Sequence, residues 1–390
     1  MRIAFVTETW DPSVDGVVTR LRATLGELHR RGHETLVVAP APGHRSGTQD
    51  GVVQMPAIGF SFVGGGKPLG LPLGRRVTDL ISDFSPDVVH VLNPFVLGTA
   101  GVRAARRTGL PLVASFHQDI AAVARHYRVG FLGSLIWAHV RRLHGRAALN
   151  LATSAAMAAE LVAHRIERVD LWPYGVDLER FNPLRRRAEA RQALVGDDDA
   201  GVVALYVGRL APEKNLQRLV PLSTTPGVSV VLVGDGPLRR PLEEQMGGPN
   251  VHFKGWLAGD SLADAYAGAD VFVFPSTTET LGLVLVEALA SGLPVIAAKS
   301  APSAEILGDG PGGMLLDTND WAGLPDAVIE MGTPGPAWDA RSLAARRRAQ
   351  DWGWSAATDF LIDRYQRVIA GSGPLAIGWS EAAGGDRQAS

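Results

Sequence analysis

The stretch VVALYVGRLAPEKN, residues 202–215, places six apolar or aromatic residues directly before a short polar loop. A continuous apolar run, rather than an alternating one, predicts a parallel strand that is covered on both faces. The strand is expected to end at Val207, so the loop that begins at Gly208 should lie at a carboxyl end of a parallel sheet. Doubly wound sheets bind ligands in this position, which makes the loop a candidate site.

Apolar strands alternate with helical patterns on both sides of this stretch. Further strands are predicted at residues 228–234, 271–275 and 294–298. The first half of the chain contains an equivalent series, with strands at residues 2–7, 34–39, 87–92 and 112–116. This alternation predicts an α/β protein with two doubly wound, Rossmann-like domains in series.

The predicted domain boundaries follow from where the pattern stops and restarts. Residues 1–180 are assigned to the first domain and residues 185–350 to the second. The charged segment 175–199 is predicted to be a loop-like linker. Residues 371–390 are rich in Gly, Ala and Ser and are expected to form a flexible tail.

Composition excludes several classes of protein. The chain has 390 residues, a net charge of −2 and no cysteine, which rules out disulfides and thiolate metal sites. The N-terminus resembles a buried strand rather than a signal peptide, and no apolar run reaches the length of a membrane span. We therefore expect a cytoplasmic protein, or one bound peripherally at the inner face of the membrane.

The loop after Val207 carries two cations, Arg209 and Lys214, five residues apart. A forked guanidinium and a point-charge ammonium can converge on one diphosphate. Lysine is rare in this arginine-rich chain, which favours a functional role for Lys214 over that of a solvated cation.

The stretch ETLGLVLVE, residues 279–287, follows the next predicted strand and places two carboxylates eight residues apart. The stretch enters a helix predicted at residues 283–290, with Glu279 in the loop before it and Glu287 on the helix, so both carboxylates could face the same edge of the sheet from different heights. The amides of Leu283 and Val284 would lie at a helix start, where a phosphate is favoured. A capping acid followed by an acid on the helix face would give the same pattern without a ligand.

Two further candidates follow strands of the first half. The loop of residues 10–17 begins a helix, and Gly16 would let a phosphate approach the first amides of that helix. His117 ends a strand and so would lie at the same edge of the sheet. An ordinary turn and a structural histidine explain these two features equally well.

Residues 101–150 contain eight arginines and one acid. The arginines are Arg103, Arg106, Arg107, Arg125, Arg128, Arg141, Arg142 and Arg146. Such a surface could contact anionic lipid headgroups or an anionic acceptor, and a solvated basic face is the alternative. Aromatic residues are not interleaved with the arginines, so no nucleic-acid partner is expected.

Taken in order, these stretches resemble family 4 of the retaining GT-B glycosyltransferases over nearly the whole chain, to about residue 370. The stretches that carry the resemblance are residues 15–17, 86–90, 116–117, 174–183, 208–214, 234–237 and 279–287. Residues 90–95 and 116–127 look most like those of the actinobacterial GDP-mannose-dependent α-mannosyltransferases. The resemblance implies two Rossmann-like domains that face a cleft, with a helix at 356–370 returning to the first domain.

The resemblance also implies a role for each motif residue. Glu279, which would hold sugar hydroxyls, and His117, which would line the reaction centre, are the catalytic candidates. Donor-binding residues would be Gly16, Arg209, Lys214, Lys254, Leu257, Gly282, Leu283, Val284 and Glu287. Of these, Arg209 and Lys214 would hold the diphosphate and Glu287 the ribose, while Lys254 and Leu257 would flank the base. Acceptor-side candidates are Asp15, Gln118, Asp119 and Tyr174.

The implied reaction moves a hexose-type sugar from a nucleotide diphosphate, GDP-mannose or a related GDP-sugar, to a small-molecule, glycolipid or phospholipid acceptor. Family members retain the anomeric configuration and need neither metal nor cofactor. Gln118 and Tyr174 depart from the mannosyltransferase pattern and leave open a secondary-metabolite enzyme with an unusual GDP-sugar and a small polar acceptor. Two alternatives come from other functional classes. One is a regulatory protein that binds a sugar nucleotide without transfer, and the other is a sugar-nucleotide epimerase on the same fold.

Overall fold

The computed structural model describes residues 1–10, 15–41, 47–49, 51–59, 68–70, 74–92, 95–117, 133–196, 201–279 and 281–371. The chain divides into two compact units. The first contains Met1–Pro173 and the chain from Trp354 onward, and the second contains Tyr174–Gly353. The predicted tail, apart from its first residue, lies outside the described residues.

The regular elements are as follows. The strands are β1 (Arg2–Thr7), β2 (Glu34–Pro40), β3 (Gly47–Gln49), β4 (Val52–Met55), β5 (Ala57–Gly59), β6 (Pro68–Gly70), β7 (Val88–Leu92), β8 (Leu112–Phe116), β9 (Leu149–Ala152), β10 (Val169–Leu171), β11 (Val202–Val207), β12 (Val228–Val233), β13 (Val251–Gly255), β14 (Val271–Phe274), β15 (Val295–Ala298) and β16 (Gly313–Leu316). The α-helices are α1 (Gly16–Arg30), α2 (Gly74–Phe84), α3 (Leu97–Thr108), α4 (Gly133–His144), α5 (Ala155–Ala163), α6 (Ala188–Val195), α7 (Arg239–Met246), α8 (Gly259–Gly268), α9 (Leu283–Ala290), α10 (Ala301–Leu307), α11 (Leu324–Gly332), α12 (Pro336–Ala349) and α13 (Trp354–Ile369).

The first unit contains a large sheet in the order β10-β9-β8-β7-β1-β2-β4-β3, and β5 pairs with β6 in a separate antiparallel sheet. Within the large sheet only the pair β3–β4, among the described strands, is antiparallel. The central strands β1, β7 and β8 are buried along their length, apart from the first residue of β1. This burial explains why their sequences are continuously apolar.

The C-terminal helix α13 belongs to the first unit. A hydrogen bond of 2.6 Å joins the Tyr365 hydroxyl to Nδ1 of His90 on β7, and Arg364 forms an ion pair of 2.7 Å with Asp170 on β10. Leu361 and Tyr365 are fully buried in a cluster that also contains residues of β1 and α1.

The second unit contains one parallel sheet in the order β13-β12-β11-β14-β15-β16 among the described residues. Numbered within the unit, this is the order 3-2-1-4-5-6 of the Rossmann fold. The order reverses between β11 and β14, so the loops that follow these two strands emerge side by side. Both units are therefore Rossmann-like α/β sheets, as the sequence predicted.

The segment predicted as a loop-like linker, residues 175–199, is folded where it is described, which corrects that prediction. It contains a short 3₁₀ turn and the helix α6, which packs on α8. Its arginines Arg186 and Arg191 form ion pairs with Asp270, whose side chain is fully buried. The charges that suggested a solvated linker thus neutralise one buried carboxylate.

The helical pattern that follows β11 in the sequence forms a 3₁₀ helix, Leu216–Thr224, with Pro221 inside it. Proline has no backbone N–H and disrupts α-helical hydrogen bonding, which explains the difference. The second unit also begins earlier than predicted, at Tyr174, because Tyr174 and Val176 lie in its core.

The backbones after β11 and β12 approach each other closely at Gly208 and Gly234. Gly234 has a φ of +129°, and a Cβ atom at this position would lie 2.0 Å from the carbonyl oxygen of Gly208. Only glycine fits such an approach without a shift of the backbone. Gly234 therefore fixes the position of the loop that carries Arg209.

We expect Gly234→Ala to destabilise the second unit by about 1–3 kcal/mol, because the new methyl group meets backbone and the φ angle is strained. Urea unfolding followed by tryptophan fluorescence measures the change. Gly323→Ala is the matched control, since a Cβ atom there meets nothing within 4 Å. Equal stability of the two variants would contradict the close approach at Gly234.

Candidate functional site

In the second unit, hydrogen bonds join the loop that follows β11 to the loop that follows β14, at the point where strand order reverses. The ammonium of Lys214 donates to Oε2 of Glu279 at 3.0 Å, and the Thr278 hydroxyl donates to the carbonyl of Glu213 at 3.2 Å. Residues 65 positions apart in sequence thus meet where Rossmann-type sheets bind their ligands.

Glu279 is held as a carboxylate. Burial by itself disfavours the charged form, but Lys214 and the backbone amides of Gly282 and Leu281 outweigh that effect and lower its pKa. The side chains of Lys214 and Glu279 are 18% and 19% exposed, so both remain accessible to a ligand. The Lys214 ammonium also lies 5.7 Å from the centre of the Phe274 ring.

Arg209 extends from a loop whose backbone is fixed by the neighbouring strand. The amide of Leu210 donates to the carbonyl of Asp235 at 3.0 Å. The Arg209 side chain is 45% exposed, and its guanidinium lies 3.7 Å from Glu213. Arg209 and Lys214 therefore present two accessible cations from one loop, which suits a diphosphate.

The helix α9 begins at Leu283, where the sequence predicted its start. Gly282 precedes it in a left-handed conformation, with a φ of +61°, and a Cβ atom there would lie 2.3 Å from Ile306. Glu279 belongs to the preceding loop and Glu287 to the second turn of α9, so the eight-residue spacing is only partly helical. Among the described residues no side chain caps α9, which leaves the first turn, at Leu283 and Val284, as a place for an anion.

Glu287 differs electrostatically from Glu279. Its Oε2 accepts a hydrogen bond of 2.9 Å from the Tyr266 hydroxyl, and burial raises its pKa to about 7. Without a cation beside it, Glu287 gains a proton near neutral pH.

The remaining predicted residues of this unit lie elsewhere. Lys254 is the next-to-last residue of β13, in a partly buried position that lowers its pKa, and Leu257 packs against the core just beyond that strand. Tyr174 is buried, and its hydroxyl donates to Glu305 at 3.0 Å. These contacts give Tyr174 a place in the core of the second unit.

In the first unit, strand order reverses between β1 and β7, and Glu8 follows β1 directly. Its Oε1 accepts hydrogen bonds from the amides of Phe95, at 3.2 Å, and Gly98, at 2.8 Å. Burial raises the pKa of Glu8 to about 7. The sequence analysis did not single out this carboxyl group, which ties the end of β1 to the start of α3.

His117 lies at the carboxyl end of β8, as predicted, and is 4% exposed. A hydrogen bond of 2.7 Å joins its Nε2 to the Ser115 hydroxyl. Burial, with a smaller contribution from the charge of Arg20, holds the pKa of His117 well below its ordinary value. His117 is therefore neutral at physiological pH and brings hydrogen-bonding capacity without charge.

Asp15 caps α1, because its carboxylate accepts from the amides of Val17 and Val18 at 3.0 Å each. Gly16 is the first residue of that helix. The acceptor-side candidates Gln118 and Asp119 lie outside the described residues.

Comparisons with known proteins agree with this architecture. Residues 14–180 match the family model described as Glycosyltransferase Family 4, and residues 201–333 match the model described as Glycosyl transferases group 1. A sucrose-phosphate synthase from Thermosynechococcus elongatus has the same fold, with a TM-score of 0.77, 20% identity and coverage of 95% of this chain and 100% of the other. The fold and the matched models define the protein as a glycosyltransferase of the GT-B class.

Two curated relatives narrow the assignment. A GDP-mannose-dependent alpha-mannosyltransferase of Mycolicibacterium smegmatis is 37% identical over 95% of this chain and 98% of its own length. An enzyme of the same description from Mycobacterium tuberculosis is 38% identical over 94% of this chain and 97% of its own length. The chain belongs to the family 4 glycosyltransferases. Among the described residues, no helix combines the length and apolar character needed to cross a membrane.

If Glu287 holds the ribose of a GDP-sugar, as the family resemblance implies, its raised pKa predicts that affinity for the GDP-sugar rises with pH. A carboxylate accepts hydrogen bonds from ribose hydroxyls better than a protonated carboxyl group, so affinity should be lost as the pH falls through about 7. Calorimetric titration with GDP-mannose between pH 6 and 8.5 measures this. Glu287→Gln cannot titrate and should bind more weakly by about 1–3 kcal/mol at high pH, with a flat profile. A Gln variant with the original slope would exclude Glu287 as the titrating group.

Proposed function

We propose that this protein is a retaining glycosyltransferase that moves mannose, or a related hexose, from its GDP derivative to an acceptor without a bound metal. The observation that carries the proposal is the pairing of Lys214 with Glu279, beside Arg209, at the reversal of strand order in the second unit. Two cations that suit a diphosphate and a carboxylate that suits sugar hydroxyls are adjacent there.

The donor assignment has support from the relatives. Both mannosyltransferases reported above are described as GDP-mannose-dependent, and each matches this chain over nearly its whole length. We assign the diphosphate to Arg209 and Lys214, the sugar to Glu279 and the ribose to Glu287. Residues Lys254 and Leu257, on the same edge of the sheet, would flank the base.

The chemistry needs a stabilised leaving group. The bond between the anomeric carbon and the phosphate oxygen breaks, and negative charge develops on the diphosphate. Arg209, Lys214 and the first amides of α9 would neutralise this charge in place of a metal. The acceptor oxygen attacks on the face that the phosphate leaves, and a phosphate oxygen takes the acceptor proton. A neutral His117 would contribute hydrogen bonds at the reaction centre.

This reaction predicts GDP release from GDP-mannose only when an acceptor is present, with phosphatidylinositol, diacylglycerol glycosides and soluble polyols as the acceptors to supply. Glu279→Gln should reduce turnover about 100-fold and leave GDP affinity nearly unchanged, because Glu279 is assigned to the sugar. Tight binding of UDP with none of GDP would overturn the donor. Binding of GDP-mannose with no transfer to any acceptor would favour a regulatory protein.

For the acceptor we propose a lipid or glycolipid, reached through contact with an anionic membrane surface. The described arginines of the basic segment are exposed: Arg103, Arg106, Arg107, Arg141, Arg142 and Arg146. Burial, and then the charges of Arg106, Arg142 and Arg103, lower the pKa of Arg146, so these cations repel one another. None of the six forms an ion pair with a described acid. Arg125 and Arg128 lie outside the described residues.

Replacing Arg106 and Arg142 together with alanine should weaken binding to phosphatidylglycerol vesicles, measured by sedimentation, by about 30-fold, since each basic residue near an anionic surface contributes about 1 kcal/mol. The matched control is the pair Arg240 and Arg347, exposed on the second unit and also replaced by alanine. Equal losses in both double variants, or no binding by the unaltered protein, would contradict a membrane role for the basic segment.

A further inference from the structure

Two buried tyrosines lie beneath the loops assigned to the donor, and each hydroxyl bonds to one part of that site. Tyr206 on β11 is 1% exposed and Tyr266 on α8 is fully buried. Neither residue was singled out by the sequence, and neither has a role in the transfer chemistry proposed above. A buried phenol needs a hydrogen-bond partner, and its partner is thereby fixed in turn.

Tyr266 holds Glu287. Its ring is packed edge-on against Phe181 and tilted against Phe272, with both ring centres 5.6 Å away. The hydroxyl is therefore fixed, and it donates to Oε2 of Glu287 at 2.9 Å. Among the described residues Oε1 of Glu287 makes no hydrogen bond, so one carboxylate oxygen is anchored and the other remains for a ligand.

Tyr206 holds the loop that carries Arg209. Its hydroxyl donates to the Arg209 carbonyl at 3.1 Å. A Cβ atom on Gly208 would lie 2.7 Å from the same hydroxyl, so the loop passes directly over the phenol. This bond fixes the backbone from which the Arg209 guanidinium extends.

The surroundings keep both phenols protonated. Burial raises the pKa of each tyrosine, and the carboxylates of Glu279 and Glu213 add to the effect at Tyr206. Tyr266 faces Glu287 from α8, and Tyr206 on β11 makes a smaller contribution to the raised pKa of Tyr266. On α12, Arg346 donates to the carbonyl of Ala290 at the end of α9.

We infer that Tyr206 and Tyr266 are positioning residues for the donor, Tyr206 through the backbone of Arg209 and Tyr266 through the carboxylate of Glu287. The inference rests on the proposed function, because it presupposes that Arg209 and Glu287 contact a nucleoside diphosphate. Neither phenol needs to touch the ligand, since each acts by holding a group that does.

The test uses the full-length protein and GDP as the probe. Tyr266→Phe and Tyr206→Phe each remove one hydroxyl and keep the ring, so the fold is retained. Each should weaken GDP binding about 3- to 10-fold, the effect of one lost buried hydrogen bond. Tyr365→Phe is the matched control, because that fully buried hydroxyl bonds to His90 in the first unit. It should change thermal stability to a similar extent and leave GDP affinity unchanged.

Two further measurements separate positioning from general stability. The hydrogen bond from Tyr266 favours the charged form of Glu287, so Tyr266→Phe should move the midpoint of the pH dependence of GDP-mannose binding upward. In the Glu287→Gln background, Tyr266→Phe should weaken GDP binding much less than in the unaltered protein, because the two residues are coupled.

The outcomes are distinguishable. If the unaltered protein binds neither GDP nor UDP, the proposed function is overturned and the inference with it. If the unaltered protein binds GDP and both Phe variants bind it equally well, the inference alone is overturned. Additive effects of Tyr266→Phe and Glu287→Gln, or an unchanged pH midpoint, would also overturn the role assigned to Tyr266.

Discussion

The reversal of strand order between β11 and β14 is the constraint on which the candidate site depends. In a doubly wound sheet, the point where strand order reverses has a crevice outside the carboxyl ends of the two neighbouring strands, and ligands bind there. Lys214 and Glu279 meet there across 65 residues of sequence, and their ion pair of 3.0 Å joins the two loops. The close approach of Gly208 and Gly234 holds the first loop in place beneath its cation.

The two carboxylates of this site, Glu279 and Glu287, differ in their electrostatic surroundings. Glu279 has Lys214 and two backbone amides as partners, which favour its charged form. Glu287 has a neutral phenol as its partner, and burial therefore dominates and raises its pKa. The two groups lie eight residues apart, yet their pKa values move in opposite directions because their partners differ. Under the proposed function, the charged Glu279 would suit sugar hydroxyls beside Lys214, and the titratable Glu287 would link ribose binding to pH.

In the first unit, the buried titratable groups near the reversal of strand order favour neutral forms. Burial lowers the pKa of His117 and His90 and raises that of Glu8, so all three groups favour their neutral forms. The buried cation Arg20 is held by the carbonyl of Pro173 and lies 4.6 Å over the ring of Trp172. The first unit thus offers neutral hydrogen-bonding groups, while the second concentrates charge where a diphosphate would be held.

Local sequence determined much of this protein. Continuous apolar runs specify buried parallel strands, and the polar stretches after them, at Arg209 to Lys214 and at Glu279, could be recognised because strand ends are readable from the chain itself. The order of the motifs was enough to indicate the glycosyltransferase family. Only the tertiary structure decided which partner each charged side chain has. The charged segment 175–199 looked like a solvated linker, but the fold brings its Arg186 and Arg191 to the buried carboxylate of Asp270. The hydrogen bond from Tyr266 to Glu287 could not be predicted from the sequence either. Hydrogen bonds and burial depend on distances in space, which a linear pattern does not encode.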